Sequence, residues 1–151
     1  MAKNNITWTT KAFKELSVDE YFEILHLRIK IFVVEQDCVY QDVDGKDKKA
    51  LHVLGIKSNK VVAYTRIFGP GHYFNEASIG RVVVAESERE HKYGYDIMEA
   101  SIKAIKVKYN TSTIKLSAQL YLKKFYNNLG FKEVGEEYME DDIPHIAMIK
   151  E

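Results

Sequence analysis

The stretch from Ser78 to Ala118 constrains the fold more than any other. Ser78 to Val84 is the most β-rich segment of the chain and predicts a strand. Glu86 to Arg89 leads into a long helix, with Met98, Ile102, Ile105 and Tyr109 marking its buried face and Asn110 able to cap its end. Thr113 to Ala118 then reads as a strand again. Strand, helix and strand in that order form a parallel crossover, which is right-handed with few exceptions. The sheet must therefore contain at least one parallel pair.

The segments before it supply antiparallel partners. Asn5 to Thr10 predicts a first strand. Ser17-Val18-Asp19-Glu20 is a capping box: the Ser17 hydroxyl accepts from the Glu20 amide and the Glu20 carboxylate reaches back. Phe22, Leu25, Ile29 and Phe32 follow at helical spacing, predicting a helix that ends near Gln36. Asp42 to Lys49 is polar, contains Gly45 and reads as a loop. Leu51 to Ile56, a Ser58-Asn59 turn and the alternation from Val61 to Phe68 form a hairpin, broken at Gly69-Pro70-Gly71. After the crossover come a helix over Leu120 to Asn128, ended by Gly130, a short strand over Phe131 to Val134 and a last strand over His145 to Ile149. The order β-α-β-β-β-α-β-α-β-β predicts an α/β (α+β) mixed sheet of six or seven strands flanked by helices, not a doubly wound nucleotide fold.

Length and charge narrow the function. A chain of 151 residues with no linker or repeat suits one domain, residues 1–151. Lys+Arg and Asp+Glu are both 22, which gives no general drive toward nucleic acid or an anionic membrane. Cys38 is the sole cysteine, so no disulfide forms within the chain. No run approaches the eighteen or so apolar residues of a membrane span, and no signal-peptide pattern opens the chain, so the expected location is cytoplasmic. His26, His52, His72, His91 and His145 lack metal-ligand spacing, and no metal is expected.

The strand-to-helix junction Val82 to Tyr95 carries the clearest chemical signal. A loop entering a helix points unpaired amides outward, and with the helix dipole these make an anion site suited to a pyrophosphate. Arg89 and Lys92 add positive charge, and Gly94 permits close approach of a ligand to the backbone.

This arrangement resembles the acetyl-CoA signature of the GNAT superfamily, Arg/Gln-x-x-Gly-x-Gly/Ala, with Arg89 and Gly94 at its ends and Lys92 where the first glycine usually sits. Ile114 to Gln119 and Phe125 to Phe131 look like the family's second cofactor motif. Phe32-Val33-Val34-Glu35-Gln36, Tyr40 to Asp47, Ile79 to Val84 and Ile143-Pro144-His145-Ile146 look like the ElaA-type branch. The resemblance spans nearly the whole chain in the same order.

The resemblance implies a GNAT-like sheet splayed between its fourth and fifth strands, with the pantetheine arm of acetyl-CoA between them. Backbone groups of Val82, Val83 and Val84 would pair with the arm. Amides of Glu90, His91, Lys92, Tyr93, Gly94 and Tyr95 would hold the pyrophosphate beside Arg89, and Gln119 and Phe125 would complete the contacts. Tyr126 sits where many members have a tyrosine that protonates the leaving thiolate. An alkyl amine at pH 7 needs about 4.6 kcal/mol to lose its proton, so a base is useful. Glu35 is the first candidate and His145 the second, since imidazole exchanges protons near neutral pH. Two acidic segments, Asp42 to Asp47 and Glu136 to Asp142, would favour a cationic acceptor if they border its entrance.

The implied function is direct N-acetyl transfer from acetyl-CoA to a primary amine, on a small molecule or a protein. A non-catalytic acyl-CoA-binding module, or transfer of another acyl group or to another acceptor, is the alternative. An exposed last strand could pair across a homodimer.

Overall fold

The computed structural model describes residues 5–151. Ten elements follow in order: β1 (Thr7–Ala12), α1 (Val18–Arg28), β2 (Leu51–Lys57), β3 (Lys60–Phe68), β4 (Ala77–Val84), α2 (Tyr93–Tyr109), β5 (Ile114–Gln119), α3 (Lys123–Asn128), β6 (Lys132–Glu140) and β7 (Ile143–Lys150). The expected first strand is thus shifted to Thr7–Ala12. Seven strands make one sheet in the order β1-β2-β3-β4-β5-β7-β6. All neighbours are antiparallel except β4 and β5, which the α2 crossover leaves parallel.

The centre of the sheet is buried on both faces, which is why β3 is buried throughout from Val61 to Phe68. One face carries α2, whose Ile97, Met98 and Ile105 pack on Val53, Ala63, Ile67, Ile79 and Leu116. The other carries α1, whose Ile24 and Leu27 meet Leu54, Tyr64 and Val83. At the β1 edge Trp8 lies across Gly55, where a Cβ would come within 2.6 Å of the indole.

The Ser17 capping box forms as its sequence requires: Ser17 Oγ accepts from the Glu20 amide at 3.0 Å and Glu20 Oε1 from the Ser17 amide at 2.8 Å. Beyond Arg28 the helix widens into a π-helix, Ile29–Glu35, capped at Gln36. The core face of α1 is Ile24, Leu27 and Arg28, continued by Ile31, whereas Phe22 and Ile29 of the sequence-marked stripe face outward.

Two further differences concern the last hairpin. The acidic segment between the two expected strands is itself mostly strand: β6 runs past Val134 to Glu140 and turns through Asp141 and Asp142, both at positive φ, into β7. This is the backbone that a two-residue hairpin turn demands. The last strand is also not an edge, because β7 inserts between β5 and β6 and leaves β6 outermost.

Candidate functional site

β4 and β5 pair only through Ala77↔Ile114 and Ser78↔Lys115, and then part. The cause lies in β4. Its register with β3 shifts between Tyr64 and Arg66, and Arg81 takes a φ of 52°. A bulge of this kind bends its strand and ends pairing on one side. β5 meanwhile stays paired with β7 along its whole length. The parted strands open a cavity of about 430 Å³, with Val82, Val83 and Val84 on one wall and Leu116, Ser117 and Gln119 on the other.

One end of the cavity meets the start of α2. Arg89 lies in a 3-10 turn, Glu86–His91. Lys92, at the usual glycine position of the signature, adopts the left-handed conformation that glycine favours, with φ 59° and ψ 32°. Gly94 faces Phe125, whose ring atoms would be 3.3 Å from a Cβ there, so α3 and α2 approach closely because Gly94 has no side chain. Val82, Val83, Val84, Arg89, Gly94, Gln119 and Phe125 all line the cavity. Glu90, His91, Lys92, Tyr93 and Tyr95 do not; the Tyr93 ring is buried in the core, edge-on to Trp8 at 6.1 Å, and Tyr95 stacks obliquely on Phe125 at 4.8 Å.

Tyr126, Glu35 and His145 also line the cavity. The Tyr126 ring is 5% exposed, and burial pushes its phenol well above the usual value, with Tyr121 adding a smaller effect. Its hydroxyl makes no hydrogen bond to any described residue. Glu35 is occupied: Arg89 Nη2 donates to its two carboxylate oxygens at 3.1 and 2.9 Å. His145 is buried, with Nδ1 2.7 Å from the Ile143 carbonyl. That contact places the proton on Nδ1 and leaves Nε2 as the basic nitrogen, 3.6 Å from Glu140 Oε2. Tyr138 stacks on the imidazole at 6.0 Å and its hydroxyl bonds Ser117 Oγ.

Sequence reasoning passed over Gln36. Its amide exchanges hydrogen bonds with that of Gln119 at 3.1 and 3.3 Å, tying the end of the π-helix to the end of β5.

The first acidic segment is not an acceptor entrance. Asp42 and Asp47 are 3% and 1% exposed. Arg28 Nε donates to Asp42 at 2.8 Å, and its Nη1 to Asp47 at 2.9 Å. Arg66 Nη1 donates to Asp44 at 2.7 Å and to Asp47 at 2.9 Å, and Arg81 Nε lies 2.8 Å from Asp42. Three aspartates thus neutralise three arginines beneath the cavity. The signal was Arg66 itself, a cation in the middle of an apolar strand, because a buried charge requires a counter-ion. From the second acidic segment, Glu140 and Asp141 do reach the cavity. No group of His, Cys, Asp and Glu among the described residues could hold a metal ion, and no helix among them is long and apolar enough to cross a membrane.

Residues 28–151 match the family model described as an acetyltransferase (GNAT) domain. Protein ElaA of Escherichia coli is 40% identical over 148 residues, 97% of each chain. Its crystal structure superposes with a TM-score of 0.90, covering 97% of this chain and 99% of that one. An acyl-CoA N-acyltransferase from Pseudomonas aeruginosa, 36% identical over 97% of this chain and 99% of its own, gives a TM-score of 0.92. The acyl-homoserine lactone synthase BjaI, solved with isopentyl-CoA, shares the fold at 15% identity and a TM-score of 0.78, over 95% of this chain and 82% of its own.

Proposed function

Since the chain belongs to the GNAT acetyltransferase family, it is a transferase, and we propose that it moves the acetyl group of acetyl-CoA directly onto a primary amine. The observation that carries this reading is the splay beyond Ser78, with the Tyr126 hydroxyl, which bonds no described residue, on the cavity it opens.

The residues present fit the donor. Beyond Ser78 the β4 edge facing β5 has no strand partner, so Val82, Val83 and Val84 offer backbone groups to the amides of a pantetheine arm. Arg89 and the amides opening α2 supply the positive end for a pyrophosphate. Acetyl-CoA contributes a thioester whose C–S bond breaks as the N–C bond forms. His145 Nε2 takes one proton from the substrate ammonium, which leaves a neutral amine to attack the thioester carbonyl, and the Glu140 carboxylate offsets the charge that the ring acquires. Tyr126 gives its phenolic proton to the departing thiolate and is restored by the second N–H proton that the nitrogen sheds as the amide forms. Holding donor and amine together supplies much of the acceleration as effective concentration.

His145 is favoured over Glu35 because the Glu35 carboxylate is engaged by Arg89. His145→Asn should then lower turnover far more than Glu35→Gln; the reverse order would give the base to Glu35. Calorimetric titration with acetyl-CoA and with free CoA tests the donor. One-to-one micromolar binding supports the reading, and turnover with acetyl-CoA exceeding that with butyryl- and hexanoyl-CoA supports acetyl as the group moved. No binding at millimolar donor would refute it.

A further inference from the structure

The outward face of α1 is apolar along its whole length. Val18 is 87% exposed, Phe22 62%, Ile29 39% and Val34 70%. On an α-helix Val18, Phe22, Leu25 and Ile29 fall within one narrow stripe. The π-helix extends it: with more than four residues per turn, Val34 rather than Val33 comes above Ile29. A shallow groove lined by Phe22, Leu25, His26, Ile29, Lys30 and Val34 runs along this face. Singly exposed apolar residues need no explanation, but a continuous stripe on a soluble helix marks an interaction surface.

Charge along the stripe points to its occupant. Asp19 and Glu23 lie on one flank near the start of the helix, and His26 and Lys30 lie on the same flank nearer its end. Asp19, Glu23 and Lys30 make no ion pair among the described residues. A two-fold axis perpendicular to the helix keeps each flank on its own side and reverses direction, so a second copy sets its basic end against this acidic end. It also opposes the two helix dipoles. Centring the axis on His26 places Val18 opposite the partner's Val34, each eight positions away. A helix with this layout is complementary to itself, as a symmetric dimer interface must be.

We propose that the chain forms a two-fold symmetric homodimer through antiparallel packing of α1 and its π extension. Phe22, Leu25, Ile29 and Val34 form the apolar seam, and Glu23 faces the partner's Lys30. Edge pairing through β6 is not its basis: that strand carries Glu133, Glu136, Glu137 and Glu140, whose like charges oppose one another across a two-fold. A single helix pair lies toward the small end of specific interfaces, roughly 1,000–1,200 Å² in total, so a micromolar dimer is expected.

Sedimentation equilibrium from 2 to 200 µM tests this on four forms of the full chain: wild type, Ile29→Glu, Glu23→Lys and the double swap Glu23→Lys/Lys30→Glu. The wild type should dimerise and Ile29→Glu should be monomeric with an unchanged melting temperature. Glu23→Lys should weaken the dimer roughly tenfold, because each reversal acts twice across the axis, and the double swap should recover most of that loss. A wild type that stays monomeric at 200 µM, a dimer that survives Ile29→Glu, or a double swap no tighter than the single one would each overturn the proposal. None of these measurements uses the donor or the acceptor, so they stand apart from the proposed chemistry.

Discussion

Tyr126→Phe tests the proposed acid apart from folding. The ring is 5% exposed and packs edge-on to Phe125 at 5.0 Å and to Phe131 at 6.1 Å. Phenylalanine keeps all of that. The hydroxyl has no partner among the described residues, so removing it breaks no protein hydrogen bond. The expected stability change is within about 0.5 kcal/mol, or roughly 2 °C in melting temperature for a chain of this size. The catalytic effect is of another order. Loss of a positioned acid lowers the rate about 10²–10⁴-fold, which is roughly 2.7–5.4 kcal/mol of barrier. Burial holds the phenol well above its usual value, so the acid stays protonated through the neutral and mildly alkaline range, and wild-type turnover should show no alkaline limb from this group below about pH 10. The assay is continuous thiol release at saturating acetyl-CoA, with the best acceptor from a panel of diamines, amino acids and lysine-containing peptides, beside a thermal melt and a calorimetric affinity for acetyl-CoA. Turnover within threefold of wild type would remove Tyr126 as the acid. A melting temperature lowered by more than about 5 °C would show that the hydroxyl is structural, against the geometry.

Three other predictions concern stability. Lys92 holds a left-handed backbone that costs a residue with a Cβ about 1–2 kcal/mol, partly offset in glycine by greater freedom of the unfolded chain; Lys92→Gly should therefore melt higher than Lys92→Ala, and the opposite order would refute the strain. Asp47 accepts from Arg28, Arg66 and, at 2.6 Å, from Tyr21, so Asp47→Asn leaves buried guanidinium charge uncompensated and should destabilise by about 3–5 kcal/mol in urea unfolding, whereas a loss under about 1 kcal/mol would mean the cluster readjusts. Burial, with help from Arg28 and Arg66 and against Asp47, holds the His52 imidazole below its ordinary range while Tyr64 and the Asp47 carbonyl saturate its neutral form. The unfolded chain then binds a proton that the folded one refuses. The stability from this group is complete above about pH 6.5 and falls by up to about 1.4 kcal/mol per unit as pH drops below it; His52→Gln should flatten the urea midpoint between pH 6.5 and 5, and an unaltered slope would assign it elsewhere.

What the sequence revealed and what it concealed follow from one distinction. Hydrophobic period and turn chemistry report local conformation, so the β4–α2–β5 crossover, the Ser17 capping box and the positive φ of Gly130 were legible from the residues themselves. Period does not say which side of an element faces the core. α1 carries two apolar faces, and the more regular of them, Phe22 to Ile29, turned out to be the outer one, while the inner face includes Arg28, which reads as a surface residue until its aspartates are placed. β6 was hidden for the converse reason. An exposed edge strand has no buried face to impose alternation, so its glutamates look like loop, and only pairing with β7 and the Asp141-Asp142 turn define it.

The site shows the same division at closer range. Residue type identified Arg89 as a cation for a phosphate and Glu35 as a base for an amine, each reasonable alone. The fold brings them to 2.9 Å, and neither role is then independent of the other. Arg89 takes one acceptor direction at each Glu35 oxygen, and a pyrophosphate bound at the start of α2, as proposed, would compete with Glu35 for it. His145 makes no contact with Arg89: its Nδ1 is fixed by a backbone carbonyl, and its Nε2 lies 3.6 Å from Glu140, which also lines the cavity. The proposed chemistry therefore gives the base to His145, whose contacts do not depend on Arg89. On the same proposal Glu35 is the counter-ion of Arg89, and the donor's phosphates would take its place when bound.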